Sequence, residues 1–238
     1  AMPWEREIRS AMAKFISASS MSSEKTAFES DLRSRGLIRV AGLDEAGRGP
    51  LAGPVVAAAV IMPEHPLIEE IDDSKVLTPA VREQLFDEIR RTALGYGIGI
   101  VDHETIDRIN ILRASFLAMD RALASLCQTP DHLLIDGNRF QLPDDSAFLS
   151  IPYTLVIDGD SRSYSIGAAS VLAKVTRDRI MESFEETYPG YGFARHKGYS
   201  TAAHRDAIFR LGYSAIHRRS FTVKEQLELQ FAEPVTTE

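Results

Sequence analysis

Three short apolar runs in this chain each stop at an acidic residue and a tight turn, and this repeated punctuation constrains the fold most. They are Leu43-Asp44-Glu45, Ile135-Asp136-Gly137 and Ile157-Asp158-Gly159-Asp160. A carboxylate closing a buried strand is costly to desolvate unless something pairs with it. Singly, such an Asp is ordinarily a turn residue or a helix cap. Three of them point to strand ends lying side by side and gathering their acids into one cluster. Neighbouring carboxylates raise each other's pKa, and a divalent cation removes that repulsion. Ligation by oxygen alone favours a hard ion such as Mg²⁺ or Mn²⁺. No HExxH and no Cys/His spacing competes for zinc. Cys127, the single cysteine, rules out an intrachain disulfide framework and is expected as a small buried residue within a helix. Hard ions on carboxylates serve phosphoryl chemistry, activating a water and stabilising a leaving oxygen. From these residues alone, cleavage of a phosphodiester or a phosphate ester is expected. A small-molecule phosphatase and a non-catalytic nucleic-acid-binding module remain open.

The rest of the pattern predicts an α/β sheet with both faces at least partly covered. Leu37 to Leu43 and Gly53 to Met62 read as strands, and the short turn-rich connection between them predicts an antiparallel pair. Thr78-Pro79 opens a helix that closes near Arg90-Arg91. Leu94 to Val101 reads as a Gly-rich third strand. Residues 102–126 read as one long helix, with Ile106, Ile109, Leu112, Phe116, Leu123 and Leu126 forming its core stripe. His132 to Ile135 and Tyr153 to Ile157 are short strands. Residues 161–187 form a helix rich in small side chains, broken by Pro189-Gly190, and a shorter helix runs from about Thr201 to Leu211. The expected division is an N-terminal extension over 1–36 containing a helix, a catalytic unit over 37–190, and a helical C-terminal extension over 191–238 that contributes to substrate binding.

Net charge is −7, which by itself disfavours a polyanionic partner. The charge is uneven, however: residues 161–221 carry ten Lys or Arg against five Asp or Glu. A basic stretch beside an acidic body suits a nucleic-acid backbone. Twelve residues, Leu51 to Met62, make the longest apolar run, short of the ~20 that a membrane span needs. No apolar leader precedes the first charged residues. A cytoplasmic protein with no membrane partner is expected.

Five motifs then resemble one family. Gly42-Leu43-Asp44-Glu45-Ala46-Gly47-Arg48-Gly49-Pro50-Leu51-Ala52-Gly53-Pro54-Val55-Val56 looks like the opening signature of ribonuclease HII. Asp73-Ser74-Lys75, Ile135-Asp136-Gly137-Asn138, Gly159-Asp160-Ser161 continuing through Gly167 to Asp178, and His196-Lys197-Gly198-Tyr199 follow in order. The resemblance spans roughly residues 37–221. It implies a ribonuclease H-like mixed sheet flanked by helices, with a small helical C-terminal extension. It implies Asp44, Glu45, Asp136 and Asp160 as the catalytic, metal-binding carboxylates, with two Mn²⁺ or Mg²⁺ ions in use and Asp44 and Asp136 shared between them. Gly47, Arg48 and Gly49 fall on the family's loop that senses the ribonucleotide 2′-hydroxyl. Tyr199 falls on the tyrosine that packs against the following sugar. Physical chemistry agrees: glycines let a backbone approach a sugar closely, and the 2′-hydroxyl separates RNA from DNA.

Lys75, Lys174 and Arg177 are expected as phosphate contacts, with Arg195, His196 and Lys197 as further candidates. The implied substrates are RNA–DNA hybrid and duplex DNA carrying embedded ribonucleotides, cut to leave 3′-hydroxyl and 5′-phosphate ends. The implied role is ribonucleotide removal by a monomeric endoribonuclease. Asp158 stands where many relatives carry a basic residue. The pattern Gly-Asp-Ser selects Asp160 as the ligand and leaves Asp158 exposed.

Overall fold

The structure is a computed structural model of the chain, and it describes residues 24–65, 68, 71 and 77–221. The expected contact Lys75, and the rest of Asp73-Ser74-Lys75, lie outside the described residues. So do most of the N-terminal extension and everything after Phe221.

Five strands form one sheet: β1 (Val40–Ala46), β2 (Val55–Ile61), β3 (Gly95–Val101), β4 (His132–Asp136) and β5 (Tyr153–Val156), in the order β3-β2-β1-β4-β5. β1 and β2 pair antiparallel, as the short connection predicts, and β3 continues antiparallel on β2. β4 and β5 lie parallel to β1 and to each other. Eight helices among the described residues complete the fold: α1 (Ala27–Ser34), α2 (Pro79–Thr92), α3 (His103–Ile109), α4 (Ile111–Ala124), α5 (Gly159–Arg162), α6 (Tyr164–Thr187), α7 (Phe193–His196) and α8 (Ala202–Leu211). Among the described residues no helix is long and apolar enough to cross a membrane.

Alternation along β2 shows how the layers form. Val55, Ala57, Ala59 and Ile61 join a core with α3 and α4, whereas Ala58 and Val60 join one with α2 and α6. Strand side chains alternate between faces, so a run apolar on both faces needs helices on both. The helix between β2 and β3, unplaced by sequence, thus packs beside α6 through Leu85, Phe86 and Ile89.

Four expectations change. The helix expected over 102–126 is two: Asn110 adopts φ +68° and accepts a hydrogen bond from Arg113 N at 3.1 Å, ending α3 and capping α4. Asn tolerates that conformation better than most residues, and the break keeps the core stripe in phase, so periodicity conceals it. The helix expected from 161 begins at Tyr164. Ahead of it, the single turn α5 is joined through Ser163, whose backbone is extended. β1 runs on past Asp44 to Ala46, because Glu45 and Ala46 still pair with Ala57 and Val56. Cys127 is exposed and lies beyond the end of α4, where its Sγ reaches only the Leu94 carbonyl at 3.8 Å.

Candidate active site

Sheet register sets the first contact. Leu43 of β1 stands opposite Ile135 of β4 in a parallel pair. The next residue on each strand is Asp44 and Asp136, where the two strands part. Leu43 points into the core beneath α4, so Asp44 points to the other face, toward α6. Asp44 is 6% exposed. Burial, then the negative charges of Glu45 and Asp136, push its pKa well above the usual carboxylate range. A Ser170 hydroxyl on α6 and the Glu45 amide, 2.7 Å from Asp44 Oδ1, pull the other way.

Asp136 draws in the third acidic segment. Its Oδ1 accepts a hydrogen bond from Gly159 N at 2.7 Å. A Cβ on residue 159 would lie 3.2 Å from that same oxygen and 2.7 Å from Ile166 Cδ1, so a larger residue there would crowd the approach. This contact seats α5 against β4 and buries Asp160, which is 5% exposed. Asp160 Oδ1 accepts from Ser161 N at 3.0 Å. Asp158 is exposed, at φ +53°. Of the two acids flanking Gly159, Asp160 is the one turned inward. Glu45, on the opposite side of the strand from Asp44, is held at 3.1 Å by Arg48.

Strand register, burial and hydrogen bonding therefore bring Asp44, Glu45, Asp136 and the Asp160 turn to one end of the sheet. Among the described residues no three acidic, histidine or cysteine side chains close into a finished metal cage. The donors nevertheless suit a hard divalent cation. All are carboxylate oxygens, and the charge crowding that raises the Asp44 pKa is what such an ion would relieve.

Beside the acids lies the loop Gly47-Arg48-Gly49. Gly47 has φ +101°, and a Cβ there would sit 2.1 Å from Arg177 Nε and 2.8 Å from Pro54 O. Two buried guanidiniums hold the loop from beneath. Arg218 Nη2 donates to Gly47 O at 2.6 Å and to Pro54 O at 3.1 Å; its Nη1 donates to Arg48 O at 3.1 Å and its Nε to Gly53 O at 2.9 Å. Arg177 Nε donates to Pro54 O at 3.0 Å and Nη2 to Ala52 O at 3.2 Å. Arg177, expected to touch phosphate, is thus 1% exposed and bonded to backbone carbonyls. Arg48 and Gly49 remain exposed above it.

Tyr199 is 42% exposed and faces Gly49, whose Cβ position lies 3.8 Å from its Cε1. Lys174 Nζ and the Arg177 guanidinium stand 5.9 and 5.8 Å from its ring centre. Lys174 is half-buried and paired with Asp178 at 2.8 Å, and burial lowers its pKa. Lys197 is bridged to Glu182 at 2.6 Å, Arg195 is exposed, and His196 is buried. A cleft of about 460 Å³ beside Tyr199 is lined by Arg82, Lys174, Asp178, Arg195 and Lys197 among others.

Beneath Tyr199 runs a hydrogen-bonded chain that sequence reasoning missed. Ser214 N donates to His217 Nδ1 at 2.8 Å, which leaves His217 Nε2 to donate across 3.1 Å to His204 Nε2. His204 Nδ1 then donates to the Tyr199 carbonyl at 3.0 Å. His196 stacks on His204 with ring centres 4.2 Å apart. Burial first, then a neighbouring imidazole, pushes His204 and His217 each down to about 4. No local motif marks these histidines or Arg218 as a group, since they meet only in the folded chain.

Comparison with known proteins adds the family. A family model described as Ribonuclease HII matches residues 41–224. The ribonuclease HII of Chlorobaculum parvum is 52% identical over 204 residues, covering 84% of this chain and 97% of the relative. That of Geobacter sulfurreducens is 53% identical over 202 residues, covering 84% and 90%. Among solved structures, the ribonuclease H2 of Pyrococcus horikoshii OT3 aligns with a TM-score of 0.64 and 29% identity, covering 82% of this chain and all of that one. A Bst-RNase HIII solved in complex with Mn²⁺ shares the fold, with a TM-score of 0.62 and 20% identity over 81% of this chain and 70% of that one.

Proposed function

The chain belongs to the ribonuclease HII family, and from that premise we propose that it nicks duplex DNA on the 5′ side of an embedded ribonucleotide as well as cutting longer RNA–DNA hybrid. Nuclease action of the ribonuclease H type on RNA–DNA substrates is the activity of this family. The finer specificity is supported by one arrangement: a carboxylate cluster centred on Asp44 beside a glycine loop whose Arg48 and Gly49 face solvent, with an exposed tyrosine ring across from it.

Asp44, Glu45, Asp136 and Asp160 would hold two Mn²⁺ or Mg²⁺ ions. Such ions supply a nucleophile at neutral pH and stabilise charge on the leaving oxygen. The protein's own part is orientation. Asp44 stays fixed by its pairing with Ala58 of β2 and Asp136 by its pairing with Val156 of β5. Gly159 N holds one Asp136 oxygen, which fixes the carboxylate plane. Backbone groups of Gly47 and Gly49 approach the ribose closely enough to meet a 2′-hydroxyl. The Tyr199 ring offers a flat apolar face to the next sugar, and a bulkier or absent group there would blur the RNA–DNA junction. Cleavage leaves a 3′-hydroxyl and a 5′-phosphate. All these groups come from one chain, so a monomer suffices.

The test is a DNA duplex with one ribonucleotide, labelled on the ribonucleotide strand. The wild-type protein yields a single product ending 5′ of the ribonucleotide. Asp136→Asn stays folded and loses at least roughly a thousandfold in rate. Turnover near wild type in that variant contradicts the assignment, and hydrolysis of an aryl phosphate without any nicking would favour a phosphatase.

A further inference from the structure

Helix α1 lies ahead of the span that the family model matches, yet it places one acid at the joint that carries Asp160. Glu29 is 1% exposed. Its Oε1 accepts from Ser163 Oγ at 2.6 Å and from Ser165 N at 2.8 Å, across more than 130 residues of sequence. Ser163 is the residue between α5 and α6. Its N–H donates to Gly159 O at 2.8 Å, which closes the α5 turn, and its Oγ accepts from Ile166 N at 3.3 Å, which caps α6. Glu29 therefore grips the hinge between the turn that presents Asp160 and the long helix that carries Ser170.

The surrounding packing leaves that turn little slack. A Cβ on Gly167 would lie 2.9 Å from Asp160 O and 2.9 Å from Ile71 Cγ2. Lys25 Nζ, two residues ahead of α1, donates to Ile71 O at 3.0 Å and so holds the far wall as well. Arg33 at the other end donates to Met62 O at 2.9 Å. Leu32 and the flanking Phe28 pack with Ile166, Leu134 and Val156. A surface helix could dock through that apolar contact alone. Burying a carboxylate is costly, and Glu29 Oε2 has no hydrogen-bond partner among the described residues. The cost is matched by a function in which charge-assisted bonds fix a joint, since such bonds are shorter and stronger than neutral ones.

We infer that Glu29 is a positioning residue for the metal centre, holding Asp160 in ligating position through Ser163 and Ser165. The inference rests on Asp160 being a metal ligand. Groups that orient metal ligands typically change metal affinity by about 10- to 100-fold when removed.

Mn²⁺ binding is measured by calorimetry on the whole chain, well below the thermal transition, alongside the Mn²⁺ dependence of nicking. Glu29→Ala is expected to weaken Mn²⁺ binding and raise the half-saturating Mn²⁺ concentration by about tenfold, with kcat at saturating Mn²⁺ within about twofold. Glu29→Gln, which keeps an oxygen acceptor toward Ser163 and Ser165, recovers most of the affinity. Ser163→Ala serves as the second variant where Glu29→Ala does not fold, and it shifts Mn²⁺ binding in the same direction. Wild-type Mn²⁺ affinity in folded Glu29→Ala or in Ser163→Ala overturns the inference. So does an affinity loss that Glu29→Gln does not relieve. Asp160→Asn separates the two readings. If that variant keeps both its Mn²⁺ affinity and its activity, Asp160 is no ligand and the underlying assignment fails. If it loses them while Glu29→Ala does not, only the positioning role fails.

Discussion

Arg218 is wholly buried and makes four hydrogen bonds, every one to a backbone carbonyl around the Gly47–Gly49 loop. Burial and the neighbouring Arg177 guanidinium pull its pKa downward. A lysine cannot reproduce this planar fork and would leave buried carbonyls unpaired. Arg218→Lys should therefore destabilise the protein by about 3 kcal/mol, read as a lower urea midpoint with an unchanged slope. Gly47→Ala meets both a positive φ and a Cβ 2.1 Å from Arg177 Nε. It should fold less stably and lose discrimination between a ribonucleotide and a deoxyribonucleotide at the cut site, measured with paired substrates. Tyr199→Ala is exposed enough to leave stability unchanged, and should cost about tenfold on a single embedded ribonucleotide but less on continuous hybrid. Asp44 and Asp136 were legible at this scale because each follows an apolar run, whereas Glu45 and Asp160 were singled out by the resemblance to the family's motifs. Arg177 was not, since an arginine on a helix in a basic stretch reads the same whether it meets phosphate or its own backbone.

At the scale of elements, glycines mark where helices lie directly on the sheet. A Cβ on Gly42 of β1 would lie 2.1 Å from the Ser165 carbonyl carbon at the start of α6. On β3, Cβ atoms at Gly97 and Gly99 would sit 2.0 and 1.9 Å from the carbonyls of Ala122 and Ala118 on α4. Gly42→Ala should push the α6 N-terminus off β1 and cost about 1–3 kcal/mol. Because α6 carries Ser170 beside Asp44 and follows the Asp160 turn, nicking should fall with stability, whereas Gly97→Ala should lower stability and leave nicking at saturating metal nearly intact. Comparing thermal midpoints with rates for the two variants checks this. The five strands and their order along the chain, the antiparallel first pair and the capped helix at Thr78 were readable from pattern; the order of strands within the sheet was not. The break at Asn110 was not, because both helices keep one apolar stripe. Nor was the close helix–strand contact, since a Gly-rich strand signals some approach without saying what approaches.

Across the whole molecule, the basic stretch over 161–221 is less available than its composition suggests. Arg177 and Arg218 are buried on carbonyls, while Lys174, Arg179 and Lys197 are paired with Asp178, Glu83 and Glu182. At least five of its ten cations are thus either buried or paired with a carboxylate of the same chain. Binding of a hybrid duplex to Asp136→Asn should show a log–log salt slope nearer −4 than −9, at about 0.9 per phosphate neutralised.

The histidine chain beneath Tyr199 sets a second global property. His204 and His217 sit near 4 in the folded protein against 6.5 unfolded, so the unfolded chain binds more protons between those values. Their contribution to stability is complete above about pH 6.5 and is lost as pH falls toward 4. Imidazole resonances followed by NMR should show two histidines with midpoints near pH 4. Sequence reading pointed to the candidate site through its strand ends, and it missed the support around it. Glu29, Arg218 and the histidines come from distant segments, and no local signal records their meeting.

The account turns on four carboxylates serving one metal centre. Anomalous diffraction at the manganese edge, from crystals of the Asp136→Asn protein and of the wild type each soaked in Mn²⁺, tests this most directly. Two manganese peaks bonded to Asp44, Glu45, Asp136 and Asp160 in the wild type, with at least one lost in the variant, are the predicted result. A wild-type map with no manganese at these side chains, or with manganese bound elsewhere at full occupancy, would contradict it.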